Sequence, residues 1–421
     1  MPTRTATCPF CGLLCDDLVV VPQGDLLLPL QGACERSRKA FAKLGTPAAA
    51  AATARVGGKV SSLEAAFDAA AVLLRQSQRP LIGGLATDVA GMRATLTLAR
   101  RIGAVVDHLG SSSKYRNLHV LQEAGWITTT LAEVKNRADL LMLIGDGWHT
   151  RFPRFVERAL LPATDLTGST LTRRIILLDE AASAAQDALP KQHARLAIGA
   201  PLAMLPELLS SLSARAAEQP VDRSRFTDTA NQLVDQCIDW LRNARYGVVV
   251  WAAADLELPH AELTLHALSR LLRTLNRDRR FAGLPLAGTN GDLTANAVHT
   301  WQTGVPYPSS HANARIDFDP YRHATHAVLE RREADCLLWI SSLSEAAMPE
   351  VSGMPVIVLG RADTQFERQP DVFVPVGTPG IDADGHLVRT DKVISLYLKR
   401  LRSANLPSVA QAVDALSARL A

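Results

Sequence analysis

The sequence predicts an α/β protein in which a small N-terminal four-cysteine domain precedes two domains built on parallel sheets. Three observations lead to this prediction. Short, fully apolar runs of strand length alternate with helical patterns along most of the chain. Four of the six cysteines lie within the first 34 residues. Aromatic residues make up only 5% of a composition rich in alanine and leucine, which favours helices packed on sheets over an all-β design.

Length and charge exclude several classes of protein. A chain of 421 residues suits about two to four domains. The net charge of +3 gives no electrostatic support for binding nucleic acid or a membrane surface. No apolar run approaches the ~18 residues of a spanning helix, and residues 1–7 lack the hydrophobic core of a signal peptide. We therefore expect a cytoplasmic protein with neither nucleic acid nor membrane as a partner.

The cysteine motif at the start of the chain predicts a metal site. Cys8, Cys11 and Cys15 follow a C-x2-C-x3-C spacing, and Cys34 supplies a fourth thiol. Thiolates are soft ligands that suit an iron–sulfur cluster or tetrahedral zinc. A loop containing Gly12 can wrap three sulfurs around one cluster face. The spacing favours [4Fe–4S], because structural zinc more often uses two C-x2-C knuckles. Zinc and empty thiols remain alternatives, whereas disulfides are disfavoured in a chain of this size without a signal peptide.

The residues between and after these cysteines predict a hairpin and a helix. Two strand-like runs, 16–22 and 26–30, flank a turn at 23–25. Such a hairpin would carry the fourth cysteine back to the other three. Residues 35–43 have a helical pattern, and the segment 45–54, with its glycine, proline and alanine run, is interpreted as a connector.

From Ser61 onward, apolar strands and helices alternate, which predicts parallel sheets with helices on both faces. Ser61 or Ser62 is the candidate cap of the first of these helices. The predicted strands cover residues 80–84, 104–107, 140–145, 174–179, 247–251, 336–340 and 356–360. The predicted helices cover 62–76, 90–101, a helix closed by 134–137, a helical stretch over 203–242, and 263–276. The resulting domains are 1–56 (four-cysteine), 57–200 (first α/β), 201–370 (second α/β) and 371–421, a C-terminal segment returning to the core.

Ligands in open parallel sheets bind at the carboxyl ends of strands, so the loops that follow the strands are candidate sites. None of these loops carries a G-x-G-x-x-G or a P-loop motif. His299 and His386 have no partner at metal-ligand spacing and are interpreted as structural or exposed. The charge clusters at 277–280 and 331–332 are interpreted as solvated helix ends. The nominated loops are 83–84, 108–117, 145–154, 252–255, 288–296 and 360–363.

Four spaced segments, in order, resemble the B subunits of formylmethanofuran dehydrogenase, which are relatives of the molybdopterin oxidoreductases. The resemblance extends over nearly the full chain. It implies a small cluster-binding domain followed by two Rossmann-like domains, as in the molybdopterin oxidoreductases. The four segments are the cysteine opening 8–17 with Ala33-Cys34, residues 131–139, residues 300–304, and residues 380–385 with Arg389.

The departures from this family fall on its redox site. The family's cysteine ligand to tungsten or molybdenum corresponds to a serine here, and the following histidine corresponds to a lysine. The turn and the histidines that help to hold the pterin correspond to glycine, tryptophan and two phenylalanines, and phenyl rings cannot hydrogen-bond a cofactor. The resemblance therefore implies a degenerate site without catalytic residues, molybdopterin, tungsten or molybdenum. Its positions are Ser113, Lys114, Gly147, Trp148, Phe152 and Phe155.

With this loss, the chain is most similar to the β subunits of bacterial formyltransferase/hydrolase complexes. Those assemblies move a formyl group from tetrahydromethanopterin to a methanofuran analogue and release formate during formaldehyde oxidation. The resemblance implies a non-catalytic scaffold whose partners are the hydrolase, formyltransferase and other subunits. The alternative is an active tungsten or molybdenum formylmethanofuran dehydrogenase subunit with Ser113 as metal ligand. A simple cluster-carrying electron-transfer protein is a third interpretation.

Overall fold

The computed structural model describes residues 3–23, 26–45, 53–162, 164–170, 172–180, 182, 186–345 and 348–420. It confirms the predicted mixed α/β architecture with parallel-strand sheets. The chain divides into two compact units, one made of Met1–Ser111 with Gly288–Ala421 and the other of Ser112–Ala287. These bounds differ from the predicted boundaries at 56, 200 and 370. Residues 4–31 form a three-stranded sheet of their own, but the four-cysteine segment contacts Gly288 and Thr390 and is part of the first unit.

The strands and helices are numbered here in chain order. The strands are β1 Arg4–Ala6, β2 Leu18–Gln23, β3 Leu26–Gln31, β4 Ala54–Val56, β5 Lys59–Ser61, β6 Pro80–Ala86, β7 Val105–Val106, β8 Leu140–Ile144, β9 Arg174–Asp179, β10 Ala194–Gly199, β11 Tyr246–Ala252, β12 Arg280–Leu286, β13 Ser309–Ser310, β14 Asp317–Phe318, β15 Cys336–Ser341, β16 Val356–Arg361, β17 Val372–Val376, β18 Gly385–Val388 and β19 Ser395–Leu398. The α-helices are α1 Glu35–Leu44, α2 Leu63–Gln76, α3 Val89–Ile102, α4 Ser111–Ala124, α5 Leu131–Arg137, α6 Gly147–Thr150, α7 Leu205–Ala216, α8 Asp228–Arg242, α9 Ala261–Leu275, α10 Asp292–Thr303, α11 Thr325–Glu330 and α12 Val409–Arg419.

The first unit is built on a nine-stranded sheet in the order β14-β13-β7-β6-β15-β16-β17-β4-β5. The five central strands from β7 to β17 run parallel, and the strands at both edges pair antiparallel. Strands β6 and β15 are buried along their whole length, as expected for central parallel strands covered on both faces. Helices α2, α3 and α12 supply apolar side chains to one core of this unit, so the C-terminal helix packs with residues from the N-terminal half.

The second unit is built on a five-stranded, fully parallel sheet in the order β10-β9-β8-β11-β12. The chain lays β9 and β10 on one side of β8 and then returns to lay β11 and β12 on the other. The strand order therefore reverses between β8 and β11. In open α/β sheets, such a switch point creates a crevice at the carboxyl ends of the two strands, and ligands bind there.

Most of the element predictions are confirmed. The hairpin is present as β2 and β3, although Pro22 lies within β2 opposite Leu27 and does not end the strand. Ser62 caps α2 by accepting a hydrogen bond from the Ala65 amide. The turn residues Gly24 and Asp25 and most of the predicted connector lie outside the described residues.

The differences occur where the local pattern was weak. The predicted helical stretch over 203–242 is two helices, α7 and α8, separated by residues that include Pro220. Ten strands in the described ranges were not predicted: β1, β4, β5, β10, β12, β13, β14, β17, β18 and β19. Strands β12 and β17 carry Pro285 and Pro375, which weaken a strand signal in sequence. The charge clusters at 277–280 and 331–332 are exposed at helix ends, as predicted.

Among the described residues, no helix has both the length and the apolar character that crossing a membrane requires.

Candidate functional site

The four N-terminal cysteines are brought together in the first unit. The Cys8 amide donates a hydrogen bond to the Cys15 carbonyl at 2.8 Å, which closes the loop that carries the first three thiols. Within this loop the Leu14 amide donates to the Cys11 carbonyl at 3.1 Å. Cys34 is the N-cap residue of α1, so the hairpin returns the fourth cysteine towards the other three.

Electrostatics indicate that the thiols are close to one another. Burial raises the pKa of the Cys8 thiol well above its ordinary value, and the thiols of Cys11, Cys15 and Cys34 raise this pKa further. Burial also raises the pKa of Cys11, which the charge of Arg36 partly offsets. Buried thiols that resist ionisation in each other's presence become thiolates when a cation neutralises them. The donor set therefore fits a metal group better than four independent thiols.

The cysteine loop packs tightly against the loop that precedes α10 in the same unit. A Cβ atom on Gly288 would lie 2.6 Å from the Gly12 Cα, and Gly288 has a φ of +96°. No other residue type fits this close approach and left-handed backbone without strain. The Thr390 amide donates to the Gly12 carbonyl at 2.7 Å. Two nominated regions, the cysteine motif and the loop 288–296, are therefore in contact.

The second nominated region lies at the switch point between β8 and β11 in the second unit. Strand β8 leads through the turn at Gly145 into the short helix α6, and β11 leads into residues 253–255. A Cβ atom on Gly147 would lie 1.8 Å from Oδ2 of Asp255 and 3.1 Å from the Cβ of Ala252. The carboxylate of Asp255 therefore occupies the space beside the turn.

Charged side chains of both signs lie at this turn. Burial raises the pKa of Asp255; Arg151, its ion-pair partner, opposes this rise, and the nearby charge of Asp146 adds to it. Arg116 is a second cation at the end of β11, where it donates a hydrogen bond to the Ala253 carbonyl. The carboxyl groups of Asp146 and Asp255 are thus balanced by two guanidinium groups.

Three aromatic side chains that follow this turn are buried. Trp148 and Phe152 are 1% exposed, and Phe155 is 0% exposed. A single π-helical turn, Val156–Leu160, follows Phe155, and such turns often occur at functional sites. Buried phenyl and indole rings in these positions act as core, because they leave no solvent-facing wall for a charged ligand.

Ser113 and Lys114, which replace the metal ligand and the histidine of the family, lie on α4. Hydrogen bonds connect this helix to the end of β11. Arg116 donates a hydrogen bond to the Ala253 carbonyl at 2.9 Å, and the Trp251 indole donates to Asn117 Oδ1 at 3.0 Å. Lys114 is buried and Ser113 is half-buried, one turn before these anchors. Ser113, Lys114, Gly147 and Trp148 therefore lie near the carboxyl ends of β8 and β11, whereas the turn that follows Phe155 packs on residues 131–137, which precede β8.

The lone histidines have structural roles or are exposed, as predicted. His299 Nδ1 lies 2.7 Å from the Val305 carbonyl oxygen, and its Nε2 lies 2.7 Å from Ser309 Oγ. His311 Nε2 lies 3.2 Å from the same hydroxyl. Both imidazoles are almost fully buried, whereas His386 is exposed on β18. The buried pair forms a polar network inside the first unit.

This network is expected to make the first unit sensitive to acid. Burial lowers the pKa of both His299 and His311 from 6.5 to about 4. Between these values the unfolded chain binds more protons than the folded chain, so the free energy of unfolding falls as the pH falls. The slope is about 1.4 kcal/mol per pH unit for each histidine. Burial raises the pKa of Asp107 to about 6. Below that pH the folded chain binds more protons at this carboxyl group than the unfolded chain does, so Asp107 raises the free energy of unfolding as the pH falls.

The measurement is denaturant unfolding between pH 4.5 and pH 7.5 for the wild type and for His311→Gln. We expect the substitution to flatten the acid slope by up to about 1.4 kcal/mol per pH unit. His386→Gln removes an exposed imidazole from the same unit and should leave the slope unchanged. An unchanged slope in His311→Gln would show that this imidazole titrates normally.

One possible metal site was missed by sequence reasoning. In the part of the chain that the structure describes, one group of three candidate ligands lies within 4.8 Å: His119, Glu123 and His266. His119 and Glu123 are four residues apart on α4, a spacing that places them on one helix face. The i, i+4 pair could have been recognised in the sequence as two possible metal ligands. The third residue, His266, lies 143 residues beyond Glu123, so the sequence does not show that it is near them.

Comparisons with known proteins agree with the resemblance stated from the sequence. No family model matches the chain. It is 25% identical over 409 residues, 93% of this chain and 92% of the relative, to the B subunit of the tungsten-containing formylmethanofuran dehydrogenase 2 of Methanocaldococcus jannaschii. It is 26% identical over 356 residues, 84% of this chain and 92% of the relative, to the B subunit of the formyltransferase/hydrolase complex Fhc of Methylorubrum extorquens.

A solved structure gives the same result. The chain matches a chain of the formyltransferase/hydrolase complex FhcABCD from Methylorubrum extorquens, solved in complex with methylofuran, with a TM-score of 0.74 and 26% identity. The match covers 87% of this chain and 98% of that chain. The predicted relationship to both kinds of B subunit is therefore confirmed.

Proposed function

We propose that this chain, a relative of the B subunits of formylmethanofuran dehydrogenase and of the Fhc complex, is a non-catalytic scaffold subunit of a formyltransferase/hydrolase complex. The complex would act in one-carbon oxidation, passing a formyl group from tetrahydromethanopterin to a methanofuran analogue and releasing formate. The hydrolase and formyltransferase subunits would carry the chemistry. This chain would bind them and shape the assembly in the cytoplasm.

The observation that carries the proposal is the turn after β8 at the switch point of the second unit. There Trp148 is buried and the carboxylate of Asp255 lies against Gly147, at the place where an α/β sheet of this strand order binds its ligand. A redox subunit needs that space for its cofactor. The match of nearly full length to a chain of a multisubunit complex supports the assembly role.

The cysteine site is proposed to hold a [4Fe–4S] cluster through Cys8, Cys11, Cys15 and Cys34, with zinc as the alternative. In a subunit without redox chemistry of its own, the cluster would act as a structural link. It would tie the cysteine loop to the start of α1, both of which belong to the first unit. Molybdopterin, tungsten and molybdenum are not expected.

The proposal is tested by purifying the complex from the native host with an affinity tag on this chain. We expect hydrolase and formyltransferase subunits to co-purify, with molybdenum and tungsten each well below one per chain. Deleting the gene for this chain should dissociate or shrink the assembly measured by light scattering, and formate release should fall with it. If the remaining subunits stay assembled with one another and keep full activity without this chain, the scaffold role is ruled out.

A pair of neighbouring serines separates this proposal from the dehydrogenase alternative. Two of the relatives are tungsten-containing enzymes, and in the alternative Ser113 is the metal ligand. Ser113→Ala should then remove the metal and the activity, whereas Ser112→Ala, at an exposed neighbouring position, should not. Under the scaffold proposal, both variants keep the activity of the complex unchanged. If the wild type contains about one tungsten or molybdenum per chain and Ser113→Ala abolishes this metal content, the dehydrogenase alternative is established.

A further inference from the structure

Three side chains on two helices of the second unit converge on one point. His119 Nε2 lies 3.1 Å from Oε1 of Glu123, and His266 Nε2 lies 2.8 Å from Oε2 of the same carboxylate. The two imidazole rings are perpendicular, with centroids 6.2 Å apart. His119 and Glu123 are on α4, and His266 is on α9. One carboxylate thus faces two imidazole nitrogens from different parts of the chain.

This donor set has the composition of a three-ligand metal site. Two imidazoles and one carboxylate bind zinc in many proteins and leave a fourth position for water or another ligand. In a tetrahedral site with bonds of about 2.0–2.1 Å, neighbouring ligand atoms lie about 3.4 Å apart. The present nitrogen–oxygen separations of 3.1 and 2.8 Å are only a few tenths of an ångström shorter. Small side-chain rotations would therefore admit the ion.

The surroundings allow an ion to enter. The side chains of His119 and His266 are 27% and 25% exposed, and that of Glu123 is 53% exposed. Solvent access supplies the open coordination position, while the partly buried rings limit the rotamers that the ligands can adopt. Tyr115 lies against His119 with ring centroids 5.5 Å apart, which restricts that ring further. Partly fixed ligands lose less entropy when they bind a metal.

We propose that His119, Glu123 and His266 form a binding site for a divalent transition metal, with zinc as the expected ion. The site is separate from the four-cysteine motif, since all three ligands lie within the unit formed by residues 112–287. The bound ion joins the C-terminal half of α4 to α9. Helix α4 also carries Ser113 and Lys114, so the ion holds the helix that borders the filled crevice. The proposal does not depend on the proposed function.

The test uses the full chain, stripped of loosely bound metal with a chelator and titrated with Zn²⁺ against a chromogenic competitor. We expect the wild type to bind one equivalent of Zn²⁺ at this site. The variants His119→Gln, Glu123→Gln and His266→Gln should each lower the affinity for that Zn²⁺ by at least about 100-fold, because each variant removes a direct ligand. His326→Gln, at an exposed histidine of the other unit, is the matched control and should bind as the wild type does.

Two further readouts keep the result decisive. A Co²⁺ ion bound by imidazole and carboxylate groups shows ligand-field absorption bands. A Co²⁺ ion bound by thiolates also shows a sulfur-to-cobalt charge-transfer band. The Co²⁺ ion that the variants fail to bind must therefore be one without a charge-transfer band. Zn²⁺ should raise the thermal midpoint of the wild type, and circular dichroism at 25 °C in the absence of metal should show all variants folded. If the three variants bind Zn²⁺ as tightly as the control, the group is a hydrogen-bonded cluster and the metal site is refuted.

Discussion

Phe155→Ala should lower the free energy of unfolding of the second unit by about 3–5 kcal/mol. Phe155 is fully buried at the end of the segment that, in a pterin-binding relative, would line the cofactor site. If its ring is core, truncation removes its burial energy and leaves a cavity. If the ring faced an open cofactor crevice, its removal would cost far less. Guanidinium unfolding followed by tryptophan fluorescence measures the difference, because Trp148 and Trp251 lie in this unit.

A matched control uses an aromatic side chain on the surface. Tyr321 is 69% exposed, and Tyr321→Ala should change the free energy of unfolding by no more than about 0.5 kcal/mol. A loss below about 1 kcal/mol in Phe155→Ala would contradict the filled crevice and reopen the cofactor site. A second variant, Phe155→His, restores the imidazole that the resemblance places here. It should also destabilise the unit, since a buried imidazole without a partner is costly.

Cys11→Ser should reduce iron in the complex from about four per chain to background and should abolish the stability of the cysteine segment. A hydroxyl is a hard and weakly acidic ligand that cannot replace a thiolate on a cluster. The loop that carries Cys11 is closed by backbone hydrogen bonds around buried thiols, so a metal group shared by those thiols would supply much of its stability. Iron analysis and limited proteolysis of the first unit measure both effects.

The control is a buried cysteine away from the motif. Cys237 lies on α8 in the second unit, and burial alone raises its pKa, so it is a neutral thiol in the core. Cys237→Ala should leave the iron content unchanged and cost about 1 kcal/mol of stability, because only one sulfur atom is removed from the core. Full iron content in Cys11→Ser would show that the four cysteines do not hold a cluster together. One zinc in place of iron in the wild type would establish the alternative metal.

Much of the fold could be predicted because its elements are set by local patterns. Continuous apolar runs such as Leu140–Ile144 are typical of covered strands, and the helix caps at Ser62 and Asp88 are single side chains that satisfy the first amides of α2 and α3. The predicted strands and helices therefore agree closely with the structure. Most of the strands that were missed are only two to four residues long, and two of the longer ones, β12 and β17, contain proline.

For the candidate site, the sequence predicted which side chains are changed but not which residues are in contact. The resemblance identified Ser113, Trp148 and Phe155 as departures from a redox subunit, because a changed side chain is visible without coordinates. It did not show that the carboxylate of Asp255 occupies the space beside Gly147, since these residues are 108 positions apart in sequence and meet only because β8 and β11 pair.

The sequence by itself determined the four-thiol motif and the type of the elements that it predicted, and the resemblance implies the loss of the residues of a pterin site. These properties depend on side-chain chemistry and on periodicities of a few residues. Only the tertiary structure decided which segments share a unit, where the strand order reverses, and that His266 lies beside His119 and Glu123. Those outcomes depend on which distant apolar surfaces bury one another. Because the hydrophobic effect is non-directional, such burial produces no pattern of residue spacing that could be recognised in the sequence.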